Sequence, residues 1–347
     1  MHVVNQGRVP VTIVTGFLGS GKTTLIAAML RQPDLAGMAV IVNEFGDIGI
    51  DDAIFADATG PENVRLLAGG CMCCLAGDDL VETLLELVRG KLYRPVRVIV
   101  ETTGLADPAK IMRQVMEDLR LRAVIRLDGV VTMIDAVNGT ANLDQYEVCR
   151  AQAAFADLRI VTKSDLVEPK AVVDVVAELN AMNSGSRIVV ADHGAIEVQL
   201  MFGLSLVDAK SGQADLEKWL NVAGHRRGHL HDTAANTLHF SGSHHHGDGM
   251  GTWLIEDPRP VDWERLEQRV GDIIRRHGHN LLRLKGVVRT LGDDRPLVLH
   301  GVQHVFHAPV RLKSWQAAPG SAIIAIGRDQ TYAAVRALRA AWSDCAE

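Results

Sequence analysis

Apolar runs alternate with amphipathic stretches over residues 9–208 of the chain. The runs are short and largely apolar, as in strands buried on both faces of a sheet, and helical periodicity follows most of them. This alternation predicts an α/β fold with a doubly wound, mainly parallel sheet that binds its ligand across the carboxyl ends of the strands. The predicted strands are Val9–Thr15, Met38–Asn43, Val96–Val100, Val130–Asp135, Leu158–Val161 and Arg187–Val190.

The pattern changes after residue 208. Residues 209–251 are rich in glycine, serine and histidine and lack regular periodicity, which predicts a flexible linker. Strands and amphipathic helices return in residues 252–347 and predict a second, smaller α+β domain. We therefore divide the chain into residues 1–208, 209–251 and 252–347. The last part has predicted strands at Trp253–Ile255, Leu281–Val288, Pro296–Val302 and Ala322–Ile326, and predicted helices at Val261–Arg276 and Thr331–Ala341.

A glycine-rich segment, G-F-L-G-S-G-K-T-T, connects the first predicted strand to the first predicted helix. Strand, glycine-rich turn and helix in this order are typical of a P-loop, whose backbone N–H groups and helix N-terminus bind phosphate. The lysine reaches the β- and γ-phosphates, and the next hydroxyl coordinates Mg²⁺. The alternative is a glycine-rich turn with a chance lysine. The predicted nucleotide contacts are Gly16, Gly19, Ser20, Gly21, Lys22, Thr23 and Thr24.

A carboxylate follows the strand Val96–Val100, at Glu101, and a glycine comes three residues later, at Gly104. This spacing is typical of a loop that holds an Mg²⁺-bound water and offers a backbone N–H to the γ-phosphate. We predict that Thr23 binds Mg²⁺ directly, that Glu101 binds it through water, and that both act with Lys22 in catalysis. A merely polar glutamate is the alternative for Glu101.

The tetrapeptide T-K-S-D, residues 162–165, follows another predicted strand. It looks like a guanine-recognition sequence in which Asp165 accepts hydrogen bonds from the base and the stem of Lys163 packs along the ring. An adenine lacks that pair of donors and would leave the carboxylate unpaired, so Asp165 selects guanine. Thr162 occupies the position at which asparagine is most common in such sequences. Because of this replacement, we expect one polar contact, to the base or to the P-loop, to be weaker.

Three cysteines, Cys71, Cys73 and Cys74, form a C-x-C-C cluster after two glycines. Three thiolates suit Zn²⁺, Cu⁺ or Co²⁺ better than Mg²⁺, and a site with three protein sulfurs keeps a fourth position open. An open position fits a site that passes its ion on. The alternatives are small buried cysteines without a ligand, or a redox pair.

Other candidate metal ligands lie at the ends of predicted strands. Glu44 and Asp47 follow the strand Met38–Asn43, in the place of a switch loop, and are candidates for Mg²⁺ waters or a second metal; a solvated acidic turn is the alternative. His193 follows Arg187–Val190 and is a candidate contact to the base-side loop or a metal, although a lone loop histidine usually has neither role.

Composition limits the partners and the compartment. The net charge of -6, with no basic run, argues against nucleic-acid binding, and no apolar stretch is long enough to span a bilayer. No signal-peptide pattern precedes the first strand, so the cytoplasm is the expected compartment. Five cysteines, of which Cys149 and Cys345 stand alone, do not form a disulfide framework. Among 14 histidines, those of the segment 225–246 predict weak metal binding in the linker, with an ordinary polar linker as the alternative.

The motifs N-E-F-G, C-M-C-C, E-T-T-G-L-A-D-P and T-K-S-D follow the P-loop in this order, and L-L-R-L-K-G and H-G-V-Q-H-V follow in the last part. With them, nearly the whole chain resembles the CobW-like family of metal-chaperone GTPases. The resemblance implies a GTPase that binds a transition metal at the cysteine motif and delivers it to a client metalloprotein or cofactor pathway. Members of the family differ in metal and client, and we expect zinc, with cobalt as the alternative. The sequence departs from the usual family pattern at three positions. These are a methionine inside the cysteine motif, Asp47 where glutamate is common, and Thr162 where asparagine is common.

These residues lead to one hypothesis and two rivals. The cysteine loop lies between Glu44 and Glu101 in sequence, so binding of GTP and Mg²⁺ can be coupled to binding of the metal, with GDP formation favouring release. Intrinsic turnover should be slow because neither an arginine finger nor a water-positioning glutamine can be named. The rivals are a P-loop kinase that uses ATP on a small substrate and a histidine-rich zinc buffer with incidental GTPase activity. A second copy of the chain is a candidate partner.

Overall fold

The chain forms two compact units, Met1–Val176 with Arg187–Gln213 and Ala177–Ser186 with Ala214–Glu347. The structure is a computed structural model. It describes residues 7–32, 37–42, 64–66, 78–90, 94–191, 195–204, 219–222, 239–242, 250–306, 309–312, 320–328 and 331–346.

The first unit contains a parallel sheet, as the alternating pattern predicted. The strands are β1 (Val9–Gly16), β2 (Met38–Val42), β3 (Val64–Leu66), β4 (Arg97–Glu101), β5 (Ile125–Asp135), β6 (Leu158–Thr162) and β7 (Arg187–Val190). They occur in the sheet in the order β3-β2-β4-β1-β5-β6-β7, and every neighbouring pair is parallel.

Helices connect these strands. They are α1 (Lys22–Leu30), α2 (Asp78–Arg89), α3 (Pro108–Glu117), α4 (Leu119–Val124), α5 (Gly139–Gln145), α6 (Glu147–Phe155) and α7 (Pro169–Met182). Every residue of β1 and of β2 is buried, which means that both faces of the sheet are covered at its centre. The predicted doubly wound α/β fold is therefore confirmed. The short strand β3 was not predicted, because three residues are too few to show a period.

The position of β1 in the sheet determines where a ligand can bind. β1 lies between β4 and β5, so the chain builds one side of the sheet up to β4 and then crosses to the other side. Open α/β sheets bind their ligands at such a switch point, outside the carboxyl ends of the strands. The register pairs Val14 with Glu101 and Gly16 with Met133, which brings the end of β1 beside the ends of β4 and β5.

The second unit is built on an antiparallel sheet with helices, and the predicted α+β class is confirmed. The elements are β8 (His239–Gly242), β9 (Met250–Asp257), α8 (Trp263–His277), β10 (Leu281–Thr290), β11 (Asp293–Val302), β12 (Val305–Phe306), β13 (Val310–Arg311), β14 (Ser321–Arg328) and α9 (Thr331–Cys345). The strands follow the order β12-β11-β10-β14-β9-β8, with β13 paired to β11. The core includes Trp253, Leu266, Leu284, Ile323 and Trp342.

One strand lies inside the segment that we predicted to be a linker. β8 pairs with β9 in antiparallel register, with Phe240 opposite Trp253, although residues 209–251 lack regular periodicity. The difference has a physical reason. An edge strand is held by backbone hydrogen bonds to its neighbour, and these do not require an apolar side-chain pattern.

Within the described part of the chain, no helix combines the length and the apolar character needed to cross a membrane.

Candidate functional site

The loop after β1 has the backbone conformation that the glycine pattern predicted. Gly16, Gly19 and Gly21 all have positive φ, at 142°, 71° and 88°. Gly16 is the most restricted of the three, because a Cβ on it would lie 2.3 Å from the carbonyl oxygen of Met133. The loop therefore passes directly over the end of β5, and only glycine fits at its first position. Ser20 is buried and Thr24 is exposed on the first turn of α1.

We predict that Gly16→Ala lowers the free energy of unfolding by about 2–3 kcal/mol, since it adds both backbone strain and a clash with a backbone atom. Gly19→Ala is the matched control. Gly19 also has positive φ, but no atom lies within 4 Å of an added Cβ, so we expect a loss of about 1 kcal/mol. Urea unfolding of the two variants measures the difference, and equal losses would contradict the contact with β5.

The side chain of Lys22 lies over this loop. It is buried, and its ammonium donates to the carbonyl oxygens of Gly16, at 2.8 Å, and Phe17, at 3.0 Å. The positive charge therefore lies at the N-terminus of α1, beside the backbone N–H groups of the loop. This combination of a lysine, a helix N-terminus and a glycine-rich loop favours an anion such as phosphate.

Thr23 and Glu101 meet although 78 residues separate them in sequence. The hydroxyl of Thr23 donates to Glu101 Oε1 at 2.8 Å, and the Glu101 side chain is buried at the end of β4. The two predicted magnesium residues therefore lie together, next to Lys22. A hydroxyl and a carboxylate are hard oxygen ligands of the type that Mg²⁺ prefers.

The loop after Glu101 packs against the P-loop. Thr102 donates its backbone N–H to Val14 O at 3.0 Å and its hydroxyl to Thr15 Oγ1 at 2.8 Å. A Cβ on Gly104 would lie 2.6 Å from the backbone nitrogen of Leu18. The predicted γ-phosphate loop thus touches the predicted phosphate loop, and glycine permits the close approach.

The T-K-S-D segment lies at the end of β6, on the other side of β1. The Thr162 hydroxyl donates to Ser20 O at 2.9 Å, so a threonine at this position does contact the P-loop. Lys163 has a left-handed backbone, with φ 57°, and its ammonium lies 3.4 Å from Asp135 Oδ2. Asp165 is exposed in a short 3₁₀ helix, Ser164–Leu166.

Asp135 was not among the predicted site residues. It ends β5, is buried, and accepts a hydrogen bond from the backbone N–H of Asn138 at 2.7 Å as well as facing Lys163. Its position at the carboxyl end of a predicted strand was the available indication. Its partner Lys163 could not be named, because that contact depends on β5 and β6 being neighbours.

Several predicted residues lie outside the described part of the chain. They are Cys71, Cys73 and Cys74 of the C-x-C-C motif, together with Glu44, Asp47 and His193. Within the described ranges, no three His, Cys, Asp or Glu side chains come close enough together to hold a metal ion. The lone cysteines Cys149 and Cys345 are free and buried, and burial raises the pKa of the Cys149 thiol to about 12. Cys149 is therefore protonated near neutral pH and a poor metal ligand.

Comparisons with known proteins cover both units. Residues 10–190 match the family described as CobW/HypB/UreG, nucleotide-binding domain, and residues 250–346 match the cobalamin synthesis protein cobW C-terminal domain. The zinc chaperone YjiA of Escherichia coli is 28% identical over 92% of this chain and 94% of its own length. The zinc chaperone CobW of Pseudomonas aeruginosa is 30% identical over 94% of this chain and 90% of its own.

A solved structure agrees in fold. The crystal structure of Zn(II)-bound YjiA GTPase from E. coli superimposes on this chain with a TM-score of 0.69 and 24% sequence identity. The match includes 99% of this chain and 100% of the YjiA chain. At this identity the likeness establishes the fold alone. It extends over both units of the chain.

Proposed function

We propose that this chain, which belongs to the CobW/HypB/UreG family of nucleotide-binding proteins, is a GTP-hydrolysing metallochaperone. In this proposal it binds a transition metal, zinc before cobalt, and transfers it to a client metalloprotein. The observation that carries the proposal is the cluster of Lys22, Thr23 and Glu101, which joins the P-loop to the strand that follows the cysteine motif in sequence.

The donor set fits Mg²⁺ as the nucleotide's partner ion. The Thr23 hydroxyl would bind the ion directly, and Glu101 would hold it through water. Both side chains supply oxygen, the type of ligand that Mg²⁺ prefers. When bound, the ion neutralises charge on the β- and γ-phosphate oxygens.

Lys22 and the loop amides would bind the phosphates. The lysine now donates to two loop carbonyls and would redirect its ammonium to phosphate oxygens, which are stronger acceptors because they are charged. In hydrolysis, a water oxygen bonds to the γ-phosphorus, the bond to the β,γ-bridging oxygen breaks, and the water loses its proton. The products are GDP and phosphate.

The base would be selected at the end of β6. Asp165 is exposed there and would accept from the two N–H donors of guanine. Asp135 faces the Lys163 ammonium and would hold its side chain along the base. Thr162 ties the same strand end to the P-loop, so that base and phosphate sites keep a constant spacing.

The metal cargo would bind at Cys71, Cys73 and Cys74. The curated relatives YjiA and CobW are named zinc chaperones, which supports zinc as the first candidate. In sequence, α2 and its flanking residues separate the cysteine motif from β4, which Glu101 ends. A change at the γ-phosphate loop can therefore alter the affinity for metal, and the coupling must be reciprocal.

A competition titration tests this coupling. We would titrate Zn²⁺ against a chromophoric chelator in the presence of GDP or a non-hydrolysable GTP analogue. The wild type should bind Zn²⁺ about tenfold more tightly with the analogue than with GDP, which is within the usual range of coupling free energies. The variant with Cys71, Cys73 and Cys74 replaced by serine should lose this tight site.

Cys149→Ser is the matched control, because Cys149 is buried with a raised thiol pKa and should not contribute. Tight binding that survives the triple substitution would favour the zinc buffer, with metal on the histidines of the segment 225–246. Equal competition by ATP and GTP would instead favour the kinase. Equal zinc affinity with both nucleotides would refute the coupling.

A further inference from the structure

A buried glutamine lies behind the predicted γ-phosphate loop. Gln152 of α6 is 1% exposed, and its Nε2 donates to the carbonyl oxygens of Gly104, at 3.2 Å, and Ala106, at 2.9 Å. Nothing in the sequence distinguished it from the other polar residues of its helix. One side chain amide therefore binds two carbonyls of the same loop.

The orientation of this amide is determined by its partners. Both neighbours are carbonyl oxygens, which can only accept, so the NH₂ group and not the oxygen must face them. A trans peptide places its N–H opposite its C=O. Since the carbonyls of Gly104 and Ala106 point towards Gln152, the N–H groups of Leu105 and Asp107 point away from it. Gln152 thus controls the direction of two loop amides.

The loop is held from two sides. On the outer side, the backbone of Leu18 in the P-loop lies against Gly104 so closely that no Cβ would fit. On the inner side is Gln152, whose own backbone carbonyl accepts a hydrogen bond from Thr132 Oγ1 at 2.8 Å. This bond ties α6 to β5. The amide therefore projects from a helix anchored to the central sheet, as precise positioning requires.

The other end of the amide argues against a purely structural role. Gln152 Oε1 is buried, and among the described residues it has no hydrogen-bond partner. Burying an unsatisfied carbonyl destabilises a fold, and an apolar side chain of the same volume would avoid the loss. A half-satisfied amide in the core is better explained by what its NH₂ group does to the loop.

We propose that Gln152 is a positioning residue that holds the loop 102–107 ready for the γ-phosphate and thereby sets the ratio of GTP affinity to GDP affinity. This inference rests on the proposed function. GDP has no γ-phosphate and does not need this loop. Loss of the two hydrogen bonds should therefore weaken GTP binding selectively.

Gln152→Met tests the proposal, since methionine keeps the length and volume of the side chain but cannot donate. We would measure affinities for GDP and for a non-hydrolysable GTP analogue, both with Mg²⁺. The affinity for the analogue should fall about tenfold, as expected for two neutral hydrogen bonds partly replaced by water, and GDP affinity should change less than about twofold. Gln145→Met, at an exposed position of α5, should change neither affinity.

Gln152→Glu gives a second, pH-dependent readout. An ionised carboxylate cannot donate to the two carbonyls and is repelled by them, whereas the protonated acid can donate to one. Burial should raise the pKa of this introduced carboxyl. The affinity of this variant for the analogue should therefore recover as the pH is lowered from 8 to 6, with no such recovery in Gln152→Met.

The outcomes separate this inference from the proposed function. Failure of the wild type to bind either nucleotide would contradict the proposed function itself. If the wild type binds both and Gln152→Met weakens both equally or neither, only the role of Gln152 is refuted. Loss of all nucleotide binding in both Gln152 variants would assign the residue to the stability of the whole unit and would likewise overturn the proposal.

Discussion

Replacing Lys22 by alanine is expected to lower the rate of GTP hydrolysis about a thousandfold, the loss typical when a charged or hydrogen-bonding group is removed from a developing negative charge in a catalytic site. Lys22 is the buried cation of the phosphate loop, and its ammonium lies within 3.0 Å of the carbonyl oxygens of Gly16 and Phe17. Alanine leaves the loop amides and the helix N-terminus to bind phosphate alone. Single-turnover hydrolysis with saturating GTP measures the effect.

Lys170→Ala is the matched control for this loss. Lys170 is also a lysine near the start of a helix, but its side chain is 84% exposed and its ion pair with Asp174 lies on the surface. Exposed pairs contribute little, so hydrolysis should stay within about twofold of the wild-type rate. A Lys22→Ala protein that hydrolyses GTP at the wild-type rate would refute the placement of the γ-phosphate over this loop.

Asp128→Asn is expected to lower the free energy of unfolding by about 3–5 kcal/mol at pH 7, because it leaves two guanidinium groups without their buried anion. Asp128 is fully buried. Its carboxylate pairs with Arg97 and, at 3.1 Å, with Arg126, and accepts from the backbone N–H of Gly203 at 3.0 Å. Arg97 also lies 4.1 Å from the ring centre of Phe202. One carboxylate thus joins β4, β5 and the segment 198–203.

The effect should depend on pH with a definite sign. Burial by itself raises the pKa of Asp128, but Arg97, Arg126 and the hydrogen bond from Gly203 lower it, and the net pKa lies below its ordinary value. The pKa of this carboxyl is therefore lower in the folded chain than in the unfolded chain, where it is about 3.9. The ionised carboxylate stabilises the fold at pH values above the unfolded-state pKa, and this contribution is lost as the pH falls through the folded-state pKa. The difference between wild type and variant should therefore be constant from pH 7 to pH 5 and shrink below about pH 4.

Urea unfolding at pH 7, 5 and 3 checks both the size and the pH dependence. Asp174→Asn is the control, because it removes an exposed carboxylate and should cost less than about 1 kcal/mol at every pH. If Asp128→Asn lowers the free energy of unfolding no more than Asp174→Asn does, solvent must compensate the charges of the two arginines.

Much of the phosphate site could be predicted from local sequence. The segment from Gly16 to Thr24 specifies its own geometry, since positive φ at three glycines and a helix start depend on neighbouring residues. Runs of apolar residues likewise predicted the strands of the first unit other than β3, and their parallel arrangement. These features are local because backbone conformation and hydrophobic periodicity are determined within a few residues.

Other features could not be predicted in the same way. The strand His239–Gly242 lies in a segment without apolar periodicity, because edge pairing uses backbone groups that every residue carries. Asp135 could be noticed as the end of a strand, but its contact with Lys163 depends on which strands are neighbours. A single buried glutamine, such as Gln152, has no pattern at all.

The sequence by itself determined the class of fold, the phosphate loop and the family to which the chain belongs. Only the tertiary structure decided which distant residues meet, because the order of strands in a sheet follows from packing and not from any local period. With β1 between β4 and β5, Thr23 reaches Glu101 from 78 residues away, and Gln152 reaches Gly104 from 48 residues away. The first contact links the phosphate loop to the end of β4, and the second links α6 to the predicted γ-phosphate loop.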